Sequence, residues 1–201
     1  SYIMQRMAVA AMRGGAAGIR ANSVSDILKI REEVKLPIIG IIKRKYTGSD
    51  VMITPTMQEV DELMAIKPDI LAMDATNIKR PGGRGLKDFF QEVRDKYPNQ
   101  LFMADCSTLE EGLRADELGF DIVGTTLSGY TSYTKDVSLP NIVLMKELAK
   151  NAEKPVIAEG GIWTPEQLRH VLDAGVWAAV VGTAITRPMD ITKKFVQVLQ
   201  S

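Results

Sequence analysis

The sequence is poor in cysteine and contains no long apolar run. Cys106 is the only cysteine among 201 residues, so no disulfide can form within the chain and a reducing compartment is expected. No apolar stretch approaches the roughly 18 residues that cross a bilayer, and the N-terminus lacks a signal-peptide pattern. These absences predict a cytoplasmic protein without a membrane segment.

Excess charge and histidine are also lacking. The 25 Lys and Arg residues balance 25 Asp and Glu residues, whereas a nucleic-acid-binding protein would show a basic excess or stripe. A local site for a small anion remains compatible with this balance. The single histidine, His170, falls in a predicted helix, where a structural or surface role is expected. Zinc and iron sites usually use histidine, so no metal site is predicted, although Asp74, Asp105 and Glu159 would suit a hard cation.

Short β-rich apolar runs alternate with helical patterns along the whole chain. The runs predicted as strands are 16–20, 37–42, 70–73, 101–104, 121–124, 155–158 and 178–181. This alternation predicts βαβ units and a parallel sheet within one domain, 1–201. A weak repeat, seen in "KPDILAMDAT", "LGFDIVGTT" and "AGVWAAVVGT", favours a (β/α)8 TIM barrel. Only seven strands are counted, and the chain opens with a helix over Ile3–Arg13. Either the first barrel strand is missing from this chain, or the sheet is open and doubly wound.

Polar residues close the predicted strands, and in both architectures ligands bind at the carboxyl ends of the strands. The closing residues are Arg20, Lys43, Asp74, Asp105, Thr125–Thr126, Glu159 and Gly182–Thr183. Lys43 follows the apolar run "LPIIGII", in a place where lysine is rare unless it is solvated or serves chemistry. Any one of these residues is more often solvated than catalytic, but the set together favours a site at this edge.

Two glycine-containing turns at the end of the chain favour a phosphate site. Gly161 lies in "AEGGI" and Gly182 in "VGTAIT", and the turns after the last two barrel strands commonly bind phosphate through backbone N–H groups. Arg187, just beyond, is placed for a bidentate contact. The alternative is that these glycines only permit tight turns. The hydroxyl-rich "TTLSGYT" stretch, which includes Thr126, is either a loop that closes over a sugar or a plain polar loop.

Eight segments in order carry a resemblance to a known family: "GGAAGIRAN", "LPIIGIIKRKY", "ITPTMQEVDEL", "MDAT", "MADCST", "GTTLSGYT", "AEGGIWTPEQ" and "VVGTAITRP". Together they closely resemble the N-acetylmannosamine-6-phosphate 2-epimerases of bacterial sialic acid catabolism. The resemblance implies a (β/α)8 barrel, a homodimer, and interconversion of N-acetylmannosamine 6-phosphate and N-acetylglucosamine 6-phosphate. Members of that family begin with a strand that ends near "SCQAL", whose glutamine touches substrate, and this sequence has no counterpart of it.

The resemblance also implies roles for individual residues. The two sugars differ at C2, so epimerisation needs ring opening followed by removal and return of one proton, with a base and an acid on opposite faces. The family's lysine and glutamate match Lys43 and Glu159. Asp105 matches an aspartate that orients the lysine or binds the sugar, and Arg20 matches an arginine that contacts substrate. Gly161, Gly182 and Arg187 fall at the phosphate. No redox cofactor is expected, because no electrons move.

Two other functions remain compatible with the residues. One is a different isomerase or lyase acting on a sugar phosphate in a phosphate-binding barrel, of which the metal-dependent pentose-phosphate 3-epimerases are the nearest in chemistry but use histidines that this sequence lacks. The other is a truncated, inactive protein that binds a phosphosugar without turnover.

Overall fold

A computed structural model describes residues 1–199. Its strands are β1 (Ile19–Asn22), β2 (Ile38–Ile41), β3 (Ile70–Asp74), β4 (Leu101–Asp105), β5 (Ile122–Gly124), β6 (Val156–Glu159) and β7 (Ala178–Val180). Its helices are α1 (Tyr2–Arg13), α2 (Val24–Glu33), α3 (Met57–Met64), α4 (Leu86–Lys96), α5 (Leu109–Glu117), α6 (Ile142–Asn151), α7 (Pro165–Asp173), α8 (Thr183–Thr186) and α9 (Pro188–Gln197), with a 3-10 turn at Pro81–Gly83.

The seven strands form one parallel sheet in which neighbours in the chain are neighbours in space. The order runs from β1 to β7 without interruption, and each pair is parallel. A doubly wound sheet would reverse its strand order at a switch point, so that alternative is wrong. The sheet curves into a nearly closed TIM barrel with helices outside, as predicted. The additional first strand expected from the resemblance stays a prediction.

The helices begin where side chains can bind the free N–H groups of the first turn. Thr56, Thr108 and Thr164 cap α3, α5 and α7, each in a reciprocal capping box, a device worth about 1 kcal/mol per helix. Helices α5 and α7 are followed by glycines with φ near +90°, Gly119 and Gly175. This conformation strongly favours glycine, and it turns the chain towards the next strand at the end of the barrel opposite the ligand-binding rim.

Alternation along the strands divides the apolar side chains into two layers. In β3, Leu71 and Met73 belong to the large cluster between sheet and helices, whereas Ile70 and Ala72 belong to a smaller cluster inside the barrel. Successive strand residues point to opposite faces. The last inward residues of the strands therefore converge on one rim of the barrel, which is where the polar residues lie.

The strand boundaries correct one sequence-based expectation. Arg20 was expected to close its strand, but β1 runs from Ile19 to Asn22, so Arg20 lies inside it. Asp74, Asp105 and Glu159 are the last residues of their strands rather than the first beyond them. The strand predicted over 16–20 begins too early, because residues 16–18 still belong to the turn that follows α1.

Within residues 1–199, no helix is long and apolar enough to cross a membrane. Over the same range, no group of three or more His, Cys, Asp and Glu side chains is arranged to hold a metal ion. His170 lies exposed on α7, as expected for a surface residue.

Candidate active site

A buried ion pair forms the centre of the rim. The Arg20 guanidinium donates to both carboxylate oxygens of Asp105, with Nη1–Oδ1 and Nη2–Oδ2 distances of 3.1 and 2.7 Å. The Arg20 side chain is 6% exposed and that of Asp105 is fully buried. Burial alone would lower the pKa of Arg20, but the charges of Asp105 and Glu159 outweigh it and raise the pKa. The Arg20 guanidinium is thus held in its charged form by a bidentate contact with Asp105.

Glu159 completes this cluster from β6. Its Oε2 lies 3.3 Å from Arg20 Nε and 3.3 Å from the Thr126 hydroxyl. Thr126 Oγ1 also lies 2.6 Å from Asp105 Oδ1, and a single hydroxyl proton can serve only one of these carboxylates at a time. Burial raises the pKa of Glu159, and Asp105 adds to the effect, against the opposing charge of Arg20. The environment of Glu159 therefore favours a proton-carrying carboxyl group more than water does.

Lys43 follows β2, the strand that pairs with the β1 strand of Arg20. It is exposed, and its backbone N–H donates to Asn22 Oδ1 at 2.8 Å. Ile42 packs outside the barrel, so alternation directs the next side chain inward. The positive charge of Lys43 lowers the pKa of Glu159, as a smaller influence than burial, Arg20 and Asp105. Arg20, Lys43, Asp105, Thr126 and Glu159 are together called the reaction end.

Asp74, at the end of β3, is a third inward carboxyl group. It is 5% exposed, and its Oδ1 accepts from the Thr76 backbone N–H at 2.9 Å and the Thr76 hydroxyl at 2.6 Å. Burial raises its pKa. The neighbouring Arg80, itself buried, donates to the main-chain carbonyls of Thr54, Pro55 and Asp74. Burial lowers the pKa of Arg80 to about 10.

Gly161, Gly182 and Arg187 lie in the turns after β6 and β7, and are called the phosphate end. Gly161 has φ of +72°, and a side chain there would come within 2.4 Å of Leu139 Cβ. Gly182 precedes the single-turn helix α8, and a Cβ on it would meet nothing within 4 Å. The Arg187 side chain is 64% exposed and lies 3.8 Å from Asp190. The backbone is thus open at Gly182 and packed at Gly161.

Two tyrosine hydroxyls fix loops of the rim to buried glutamates, and the sequence did not predict these contacts. They are called the loop braces. In the first, the Tyr46 hydroxyl, on the loop that carries Lys43, donates to the fully buried Glu59 at 2.8 Å. In the second, the Tyr133 hydroxyl, on the β5–α6 loop, donates to the fully buried Glu111.

Both glutamates are also the capping-box residues of their helices, α3 and α5. In the sequence, the S/T-x-x-E pattern fits both Ser107 to Glu110 and Thr108 to Glu111, and the structure uses the second. The register of the cap, Thr108 to Glu111, would have identified the buried carboxylate.

The comparisons with known proteins agree on one family. The family described as "NanE: Putative N-acetylmannosamine-6-phosphate epimerase" matches residues 4–201. A Clostridium perfringens relative of that description is 54% identical over 200 residues, covering 100% of this chain and 90% of the relative. One from Caldanaerobacter subterraneus subsp. tengcongensis is 50% identical over 97% of this chain and 82% of its own length.

Solved structures give the same result. The structure of the N-acetylmannosamine-6-phosphate 2-epimerase from Clostridium perfringens matches with a TM-score of 0.93 at 54% identity, covering 98% of this chain and 85% of that one. Thiamine phosphate pyrophosphorylase from Pyrococcus furiosus, at 19% identity and a TM-score of 0.64, shares the fold alone.

The fold and rim define a parallel β/α barrel with ionisable groups at the carboxyl ends of its strands. Within that class, the chain belongs to the N-acetylmannosamine-6-phosphate epimerase family, as the sequence resemblance indicated.

Proposed function

We propose that this protein interconverts N-acetylmannosamine 6-phosphate and N-acetylglucosamine 6-phosphate by removing and returning the proton at C2. The observation that carries the proposal is the position of Lys43 just after β2 and of Glu159 at the end of β6, four strands apart on one rim of the barrel. A base and an acid on opposite faces of C2 are the simplest arrangement for inversion. Relatives that match nearly the whole chain bear the name of this activity.

The remaining reaction-end residues support the same chemistry. Deprotonation at C2 of the open-chain aldehyde puts negative charge on the enolate oxygen, and a fixed guanidinium such as that of Arg20 can stabilise it without reorganising. Asp105 holds Arg20 in place, and Thr126 connects the two carboxylates. At the other end, the backbone near Gly161 and Gly182 and the side chain of Arg187 would take the phosphate. This division fits a substrate with its reacting carbon and its phosphate at opposite ends.

Turnover in deuterium oxide tests the proposal. The product should carry deuterium at C2, because the proton removed by one group is replaced by the solvent-exchanged proton of the other. Nuclear magnetic resonance of the C2 position gives the readout. A complementary run starts from C2-deuterated substrate in ordinary water and should wash the label out. Epimerisation that retains the original C2 hydrogen in both runs would contradict a two-group mechanism, and absence of any epimerisation would contradict the proposed activity.

We also propose that the protein is a homodimer in the cytoplasm. Exposed apolar side chains concentrate near the C-terminal helices, at Trp177, Ile185, Met189, Phe195 and Leu199, and large apolar patches are unusual on monomers. The free thiol of Cys106 suits a reducing compartment. Sedimentation equilibrium at micromolar concentration should give twice the chain mass, and a monomer would contradict the dimer. Recovery of the protein outside the cytoplasmic fraction of cells would contradict the location.

A further inference from the structure

Epimerisation by this route requires a step that the Lys43–Glu159 pair does not supply. A hexosamine phosphate is mostly a closed ring, and its C2 proton becomes acidic only after the C1–O5 bond breaks and C1 becomes a carbonyl. Ring opening needs a proton delivered to O5. If the proposed function holds, on which this step rests, a further group of the site must deliver that proton.

Asp74 is placed in the same mouth and is not used by the C2 chemistry. Ile70 and Ala72 of β3 lie inside the barrel, while Met73 and Ala75 lie outside it, so Asp74 faces inward. Strand β3 pairs with β2, which leads to Lys43, on one side and with β4, which ends at Asp105, on the other. At the rim, the segment of Ile53 lies between these two strand ends, because Lys43 bridges to Ile53 and the Asp74 N–H donates to the Ile53 carbonyl. Asp74 is therefore next to Asp105 on one side and one backbone segment away from Lys43 on the other.

One oxygen of this carboxyl group is anchored and the other is free. Oδ1 accepts two hydrogen bonds from Thr76. For Oδ2, the described part of the chain, 1–199, provides no hydrogen-bond partner. Within residues 1–199, Nε of Arg114 is the only fully buried side-chain nitrogen or oxygen that lacks a partner. Oδ2 of Asp74 also lacks a partner, so it is not fully buried and keeps some access to solvent. A buried carboxyl group with one fixed and one accessible oxygen is oriented to exchange a proton with a ligand.

The three inward carboxyl groups differ in their contacts with cations. Asp105 is bound on both oxygens by Arg20, and Glu159 lies against the same guanidinium. No ion pair joins Asp74 to a cation within residues 1–199, because Arg80 donates to its main-chain oxygen instead. Protonating Asp74 thus breaks no ion pair, whereas protonating Asp105 would leave part of the Arg20 charge uncompensated.

We propose that Asp74 is a further catalytic residue, the acid that opens the sugar ring. Its carboxyl proton passes to O5 as the C1–O5 bond breaks, and the electron pair of that bond stays on O5. The O1 hydroxyl loses its proton to a water molecule, so that C1 becomes the aldehyde carbon. The Asp74 carboxylate regains a proton from water, and ring closure after epimerisation follows the reverse path. No oxidant or reductant takes part.

Replacement of Asp74 by Asn, combined with substrate deuterated at C2, tests this role. The Asn side chain keeps the size of Asp but has no acidic proton. We expect turnover to fall by about 10²- to 10⁴-fold, the usual contribution of a general acid. Ring opening, which breaks no C2–H bond, then limits the rate. The kinetic isotope effect on kcat/KM of D74N should therefore be at unity.

The matched control is Thr76→Val, which removes one hydrogen bond to Oδ1 and leaves the Asp74 proton in place. This variant should lose far less turnover than D74N. If D74N fails to fold by circular dichroism, Asp74→Ser gives the same measurement with a smaller neutral side chain. An isotope effect clearly above unity in a folded variant, or turnover close to that of the unchanged protein, would overturn the role of Asp74. Absence of epimerisation by the unchanged protein in the same assay would instead refute the proposed function.

Discussion

The reaction end and the phosphate end of the barrel mouth are built differently. At the reaction end, Arg20, Asp105 and Thr126 are buried and joined by short hydrogen bonds. At the phosphate end, Gly182 and Arg187 are exposed, and among residues 1–199 the arginine side chain forms one ion pair, with Asp190. Preorganised charges serve a transition state best when they need not move, whereas a phosphate brings its own charge and can order a loose site. The difference suggests that chemistry and anchoring are separable in this molecule.

The largest expected effect is at the reaction end. Replacing Lys43 by Met should lower kcat by about 10³-fold or more, because a base positioned for proton transfer contributes on that scale. Folding should be unaffected, since the side chain is exposed. Lys45→Met is the matched control, because Lys45 is also exposed, two residues further on, and it should retain normal turnover. A Lys43→Met enzyme with more than about a tenth of normal kcat would remove Lys43 from the mechanism.

An intermediate effect is expected at the phosphate end. Arg187→Ala should raise KM and lower kcat/KM by about 10- to 100-fold, the range for loss of a charge-assisted hydrogen bond. The kcat value should change little, because anchoring contributes equally to ground and transition states. Steady-state kinetics on both sugar phosphates measures the split. Asp190→Asn, which releases Arg187 from its ion pair, should not weaken binding. A fall in kcat at constant KM for Arg187→Ala would show that the two ends are not separable.

The smallest effects are expected from removing the two loop braces, one of which lies at each end of the mouth. Tyr46→Phe loosens the loop that carries Lys43, so it should lower kcat. Tyr133→Phe loosens the β5–α6 loop, whose Leu139 packs against Gly161, so it should raise KM. Each loses one hydrogen bond to a buried carboxylate, worth roughly 1–2 kcal/mol of stability. Each kinetic change should stay below about tenfold, because only part of that energy acts on the site. Identical kinetic changes in both variants would contradict separate roles for the two loops.

The sequence predicted the barrel because each strand and helix is marked locally, by apolar runs, caps and glycine turns. It also predicted which residues line the rim, since Lys43, Asp105 and Glu159 end or follow apolar runs. It did not predict that Arg20 pairs with Asp105, because the two residues come from strands that are far apart in sequence and meet only when the barrel curves. The orientation of Asp74, with one anchored oxygen, depends on Thr76 and on alternation within β3, which require the exact strand boundaries.

The turns at the opposite end of the barrel have a practical consequence. Gly119 leads from α5 into β5, and no heavy atom lies within 4 Å of the position that a Cβ would take there. A turn of this kind faces away from every residue of the reaction and phosphate ends, because helix-to-strand turns and strand-to-helix turns lie at opposite ends of a β/α barrel. A linker or surface anchor inserted at that turn would hold the protein by its base and leave the mouth facing solution.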